Sequence, residues 1–441
     1  MLKRWGAALI VLGLIGWAYV TLDTPTLHAE AGQRCRSNTI GQGIVINELM
    51  YHPASDLDVH EYVELTNSSA ITVDLSGWSF SDGFDYTFPD GVTLAPDGYL
   101  VVAHEPNAVA GQYGLDPTGL LGPFASRRLA NAGERVALRD AAGDLIDAVR
   151  YDDDVPWPKT PDGWGPSLEL VNPTFENDRA CVWAASQGNG TPGTQNSVFA
   201  LDIPPCIEGV RHSPVFPTFT QSVTISAYIQ DNGVISTAVV YHKPDGAADF
   251  AVTPMHILTG SGSQDLYAAQ LPPYADGTLV QFYVAATDEA GLTSQVPPDA
   301  PQITALETGH ALTRDYLYLV MDPPPVASRP AYWLLVTQQN WNELTTRDLD
   351  SNELLDAAFV YEDQVYYNVG LRYRGESSRW REPHAYRINF PSPQHFQGMQ
   401  RLNLVGDHLS REALTYDLFQ RAGMAASDTE FVDLYINGAY Q

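Results

Sequence analysis

The chain has 441 residues, 24 Lys+Arg against 53 Asp+Glu for a formal net charge of −29, and 44% hydrophobic content. Such a length suggests roughly two to four domains, and the apolar content supplies packed cores, which excludes wholesale disorder. A surface this acidic repels phosphate backbones and anionic headgroups, so general nucleic-acid or membrane-surface binding is excluded. Lys3, Lys159 and Lys243 are the only lysines, so nearly all positive charge is arginine.

Lys3 and Arg4 precede an apolar run from Trp5 to Leu22, followed by Ala29-Glu30-Ala31. That order is the n-region, h-region and A-x-A of a secretory signal, assigned to residues 1–31. The run also has about the minimum length of a membrane span, so an uncleaved N-terminal anchor is the alternative and the one expected membrane contact. The expected location is extracytoplasmic, secreted or at the cell surface. In an oxidising compartment one pair among Cys35, Cys181 and Cys206 bridges and one thiol is left over; the sequence does not choose the pair.

From Ile44 to about Ser197, short β-type runs alternate with turn residues. Val45-Ile46, Tyr62–Leu65, Ile71–Leu75, Tyr99–Val102, Val136–Leu138 and Ile146–Val149 read as strands. Ser81-Asp82-Gly83, Pro89-Asp90-Gly91, Pro96-Asp97-Gly98 and Ala142-Gly143-Asp144 read as the turns between them. Many short strands at regular spacing predict a β-sandwich.

Ile46-Asn47-Glu48-Leu49, Glu61–Asn67 and Asp74-Leu75-Ser76-Gly77-Trp78 resemble the opening of a lamin-tail domain. Gly143–Asp147, Gly165–Leu170 and Gly190-Thr191-Pro192-Gly193 continue the same pattern in order, over residues 40–198. The resemblance implies an immunoglobulin-like sandwich that engages a protein partner, without catalysis.

Residues 204–320 hold a second β segment, with alternation over Val223–Ile229 and Leu279–Ala286. It is similar to the immunoglobulin-like or fibronectin-type spacers of bacterial surface proteins. Pro323-Pro324-Pro325 reads as a stiff linker. Beyond it Trp341–Ala358 reads as helix and Phe359–Tyr373 as strand. Ser410–Ala422 reads as an amphipathic helix capped by Ser410, stopped by Gly423, and buried through Ala413, Leu414, Leu418, Phe419 and Ala422. The predicted class is multidomain, two all-β sandwiches followed by an α+β unit at 328–441.

Charge divides unevenly: −16 over residues 44–198, −10 over 199–327, −5 over 328–441, and +3 within 371–421. An arginine-rich island on an acidic chain suits a phosphate or carboxylate, because guanidinium gives permanent bidentate contacts; surface ion pairs such as Arg411-Glu412 are the competing explanation. Within it stand Gly370–Arg379, Tyr386–Phe390, Phe396-Gln397-Gly398, Arg401–Leu404, Ala422-Gly423-Met424 and Phe431–Gly438. In that order they look like the N-terminal half of the CotH family, the spore-coat-type atypical protein kinases. The resemblance implies ATP and Mg²⁺ as cofactors and protein Ser/Thr as substrate. Candidate nucleotide-phosphate contacts are Arg374, Gly375, Ser377, Ser378, Arg379 and Arg387, since a Gly-Glu-Ser-Ser turn offers N–H groups and hydroxyls to phosphate oxygens. A tight hairpin whose serines satisfy its own backbone reads the same residues equally well.

Two departures bear on activity. The family's Lys-Lys pair before Tyr-Arg is replaced by Pro383-His384-Ala385, and no lysine follows Lys243. The family's metal-binding and catalytic acids lie beyond the point where this sequence stops, so the expectation is that residues 328–441 alone do not complete phosphoryl transfer; no catalytic residue is named. A non-catalytic cell-surface interaction or adhesion protein is the alternative. Asp56, Asp58, His60 and Glu61, and separately Asp152-Asp153-Asp154, are acidic loops with oxygen donors for Ca²⁺ or simply solvated faces. No G-x-S-x-G, H-E-x-x-H or Walker A sequence occurs.

Overall fold

Ile44–Met50 is buried along its whole length because it runs through the middle of a sheet covered on both faces. The chain, a computed structural model, is described over residues 43–259, 265–298, 300–304, 308–322, 329–375, 377–380, 383–392, 394–406 and 409–441. The leader at 1–31, Cys35 and Pro323-Pro324-Pro325 lie outside these residues. Among the described residues no helix is long and apolar enough to cross a membrane.

The first sandwich packs a five-stranded sheet, ordered Trp183–Ala185, Leu168–Leu170, Ile44–Met50, Tyr62–Asn67 and Tyr99–Ala103, against a four-stranded one. The latter runs Tyr86–Thr87, Ser79–Asp82, Glu134–Arg139 and Leu145–Tyr151. Phe80, Phe84 and Phe88 fill the space between them, with Ile46, Leu65 and Val149. The strand expected at Ile71–Leu75 shortens to Val73–Asp74, and Ile71 is exposed. The Asn67 amide accounts for this, bonding the Ile71 and Leu94 carbonyls at 2.8 Å and turning the chain before the strand begins.

Cys181 and Cys206 form a disulfide that ties the end of the first sandwich to the first strand of the second. The second sandwich pairs Cys206–Ser213, Val223–Gln230, Asp265–Leu271 and His256–Thr259 in one sheet. Its other sheet holds Ala251–Pro254, Ile235–Pro244, Leu279–Asp288 and Thr293–Val296, with Tyr316–Leu319 also on Leu279–Asp288.

The third unit is a seven-stranded sheet ordered Arg401–Leu404, Tyr386–Asn389, Gln364–Tyr373, Leu355–Tyr361, Ala331–Leu335, Asp433–Ile436 and Ala439–Tyr440. Only the pair Ala331–Leu335 with Asp433–Ile436 is parallel, the connection carrying helix Leu409–Arg421. One face packs Leu344 of helix Gln338–Thr346 into a core with Phe359, Phe390 and Phe396. The opposite face places Trp333, Leu335, Val360, Tyr367 and Tyr435 in the core of the second sandwich. There the buried His212 bridges the Val215 carbonyl, at 3.0 Å from Nε2, and the Tyr367 hydroxyl, next to Nδ1. Burial pushes this imidazole down to about 4, so it is neutral and Nδ1 accepts the Tyr367 hydrogen.

Two sequence expectations fail in this unit. The helix predicted over Trp341–Ala358 spans only Gln338–Thr346, capped by the Thr337 hydroxyl, and Leu355–Tyr361 is a central strand. The apolar run Ala357–Val360 is buried on both sheet faces, where strand and helix periodicities look alike. Leu409–Arg421 is a helix and Gly423, at φ +72°, ends it: Gly423 N–H bonds the Gln420 carbonyl and Met424 N–H the Phe419 carbonyl, each at 2.9 Å. However, the face expected to be buried is open. Leu414, Leu418 and Phe419 are 59%, 55% and 42% exposed, because no described element covers that stripe.

Candidate phosphate-binding site

The strands Gln364–Tyr373 and Tyr386–Asn389 set Arg372 opposite Arg387 and Tyr373 opposite Tyr386. On the next strand Asn403 faces Arg387 and Arg401 faces Asn389. Strand alternation sends Leu371, Tyr373, Ile388 and Leu404 into the core. It therefore gathers Arg372, Arg387, Asn389, Arg401 and Asn403 on the other face. Arg372 donates from Nη1 to the Tyr373 carbonyl at 3.1 Å, and Arg387 from Nε to Asn403 Oδ1 at 3.2 Å. Among the described residues no carboxylate pairs with Arg372, Arg387 or Arg401. Burial lowers the Arg372 pKa, and the charges of Arg387, Arg379, Arg347 and Arg401 lower it further. Like charges opposed across a ladder destabilise it, and an anion seated between them removes that cost.

On the opposite, core-side face of these strands lies a cavity of about 410 Å³, lined by Trp341, Arg347, Tyr373, His384 and Tyr386, among others. The Tyr373 ring lies 4.3 Å from that of His384 and 5.6 Å from that of Tyr386. Its aromatic walls offer stacking surfaces and Arg347 an anion contact, on the face away from Arg372 and Arg387.

The residues singled out in the sequence take different roles. Arg374 extends the hairpin, its N–H donating to the Ala385 carbonyl at 2.8 Å, and Gly375 follows at φ +92°. Arg387 sits in the arginine cluster. Arg379 is only 7% exposed and is turned to main chain: Nη1 bonds the Leu349 and Ser351 carbonyls at 3.1 and 3.0 Å, Nη2 bonds Asn352 Oδ1 at 2.7 Å, and Nε bonds the Gly375 carbonyl. Those bonds fasten the 349–352 loop to the hairpin. Ser377 and Ser378 lie on a 3-10 turn, and their side chains, with Glu376, lie outside the described residues. Arg347, Arg372 and Arg401 were not picked out in the sequence. The spacing of Arg372 two residues before Arg374 was the available sign, but only pairing with Arg387 gives it meaning.

The acidic loop at 56–61 is spent on internal partners. Asp58 pairs with Arg128 at 3.0 Å, His60 Nδ1 lies 2.7 Å from the Ser55 hydroxyl, and Glu61 accepts the Leu129 N–H at 2.8 Å. Burial pushes Glu61 up to about 8. Asp152, Asp153 and Asp154 bring carboxylate oxygens within 4.8 Å of one another. Burial, then Asp154 and Asp152, push Asp153 up to about 6.

A third acidic group was missed in the sequence. Glu48 lies opposite both Glu64 and Glu169 on adjacent strands, and all three are fully buried. The segment from Gly190 to Val198 covers them: Thr191 N–H reaches Glu48 at 2.9 Å, Gly193 N–H reaches Glu64 at 2.5 Å, and the Ser197 hydroxyl reaches Glu169 at 2.8 Å. Burial pushes Glu48 up to about 7 and Glu64 well above the carboxylate range. The trio latches the C-terminal strap of the sandwich, and it explains the Gly190-Thr191-Pro192-Gly193 motif.

Residues 38–153 match the Lamin Tail Domain model, and residues 371–441 match the CotH kinase protein model. No curated protein matches the sequence. A cycloalternan-forming enzyme from Listeria monocytogenes, solved with a pentasaccharide substrate, is 12% identical at a TM-score of 0.18, covering 42% of this chain and 18% of that one. The sulfane dehydrogenase SoxCD from Paracoccus pantotrophus is 13% identical at a TM-score of 0.17, over 57% of this chain and 68% of that one. At those scores neither likeness assigns a fold.

Proposed function

From a lamin tail domain and a CotH match at the C-terminal end, we propose an exported, CotH-related protein that docks a protein partner through the first sandwich and binds a nucleotide polyphosphate at the arginine-lined end of the third sheet. The observation that carries this reading is Arg372 facing Arg387 with no carboxylate among the described residues paired to either. Phosphate oxygens would bridge the two guanidinium groups. Arg379 positions the 349–352 loop and does not contact the ligand.

CotH resemblance implies Mg²⁺ with ATP. The donor set for that ion is not assembled among the described residues near the arginines: both groups of three close carboxylates lie outside the 331–441 unit. Phosphoryl transfer needs nucleotide, metal and aligned acceptor together, so binding, and no transfer step, is assigned to these residues.

Isothermal titration of the full chain with ATP, with and without Mg²⁺, tests the reading beside Arg387→Gln. Loss of one bidentate phosphate contact should weaken binding by about tenfold or more. Equal isotherms for the two proteins would remove the site.

A further inference from the structure

The junction between the first two sandwiches carries a second, independent cluster. Asp202 lies on the segment joining them, Asp231 in the turn after strand Val223–Gln230, and Asp288 at the end of strand Leu279–Asp288. Each offers a carboxylate oxygen within 4.8 Å of the other two. Asp288 is 3% exposed. One of its oxygens accepts the Leu292 N–H at 2.8 Å, whereas Oδ2 is buried with no partner. Asp231 repeats the pattern: Oδ2 accepts the Gly233 N–H at 2.9 Å, and Oδ1 is buried without a partner. Buried polar atoms are almost always satisfied, so two orphaned carboxylate oxygens beside a third acid ask for a cation. The Asp152–Asp154 loop contains no such orphan.

We infer that Asp202, Asp231 and Asp288 form a Ca²⁺ site that fastens the lamin-tail sandwich to the second sandwich. Oxygen-only donors select a hard cation. The three oxygens lie within 4.8 Å of one another, close enough to share one ion, and an all-protein carboxylate shell of flexible geometry suits Ca²⁺, whereas Mg²⁺ keeps several waters. Three carboxylates overbalance a divalent charge, as in many calcium sites, and water or main-chain carbonyls complete the shell. The location gives the ion its role. Asn232, next to Asp231, already bonds the joining segment, donating to the Leu201 carbonyl and accepting the Ile203 N–H, each at 3.2 Å. Together with the Cys181–Cys206 disulfide, the ion would hold the 201–206 segment from both ends.

The test is calcium titration of the metal-stripped full chain by calorimetry, with Asp231→Asn, Asp288→Asn and Asp153→Asn beside wild type. One saturable site is expected, with a dissociation constant of about 10⁻⁴–10⁻³ M as in extracellular calcium modules. The Asp231 and Asp288 variants should lose at least about tenfold in affinity, each removing one charged ligand, and Asp153→Asn should not. Asp202→Asn, on the joining segment, should repeat the loss without touching either sheet. In parallel, calcium should slow chymotryptic cleavage at the exposed Phe199 and Leu201 in wild type and not in Asp231→Asn. Unchanged calcium binding in the three junction variants, an identical isotherm with Mg²⁺, or binding that leaves cleavage unaltered would each overturn the inference.

Discussion

Asp315 opens strand Tyr316–Leu319 at the seam between the second sandwich and the third unit, 1% exposed and with neither carboxylate oxygen hydrogen-bonded. Burial pushes its pKa from an ordinary 3.8 up to about 8; Asp356 and Asp245 add to the rise and Lys243 opposes it. The folded chain therefore holds a proton that the unfolded chain releases between those values. The associated stability is complete below about pH 4 and is lost as pH rises through about 8. At roughly 1.4 kcal/mol per pH unit, holding that proton at pH 7 costs at most about 4 kcal/mol. Local relaxation around the carboxyl reduces this, so Asp315→Asn should gain about 1–3 kcal/mol at pH 7–8. At pH 4 it should gain almost nothing. Urea unfolding of both proteins from pH 4 to pH 9 measures the gap directly, and subtracting wild type cancels Glu48 and Glu61, which titrate in the same direction and do not act on Asp315. A gap that stays flat with pH, or a variant weaker than wild type at pH 8, would refute the reasoning.

Two further outcomes follow from packing. Cys181→Ser opens a link across a sequence separation of 25 residues and should cost about 3 kcal/mol on the chain-entropy estimate, read as an earlier unfolding midpoint that matches wild type under reductant. Gly190 has φ +105°, and an added Cβ would stand 2.8 Å from Glu48 Oε1 and against the Tyr62 hydroxyl. Gly190→Ala should therefore loosen the strap over the buried acids and cost about 2 kcal/mol or more, seen as faster amide exchange at Thr191 and Gly193.

Much of the first sandwich was legible because turn residues bracket each strand and its core alternates. What stayed hidden depends on pairing. Glu64 and Glu169 each sit between apolar neighbours in a strand, and Glu48 between Asn47 and Leu49, where period-two reasoning sends the acid to solvent. Their burial follows only from the strap that folds over them. Consecutive acids at 56–61 suggested a site and turned out to be individually partnered, whereas Asp202, Asp231 and Asp288 are scattered along the chain and meet only after folding. The arginine island was visible as composition, but composition could not separate Arg379, bound to loop carbonyls, from Arg372 and Arg387, which face each other.

Trp333 stacks on Tyr435 at a centroid distance of 4.1 Å, inside the core that the second sandwich and the third sheet share. A boundary drawn from sequence along the proline run would cut through that core and bare both rings along with Tyr367. The second sandwich and the C-terminal sheet thus form a single packing unit, larger than the segment that carries the arginine cluster.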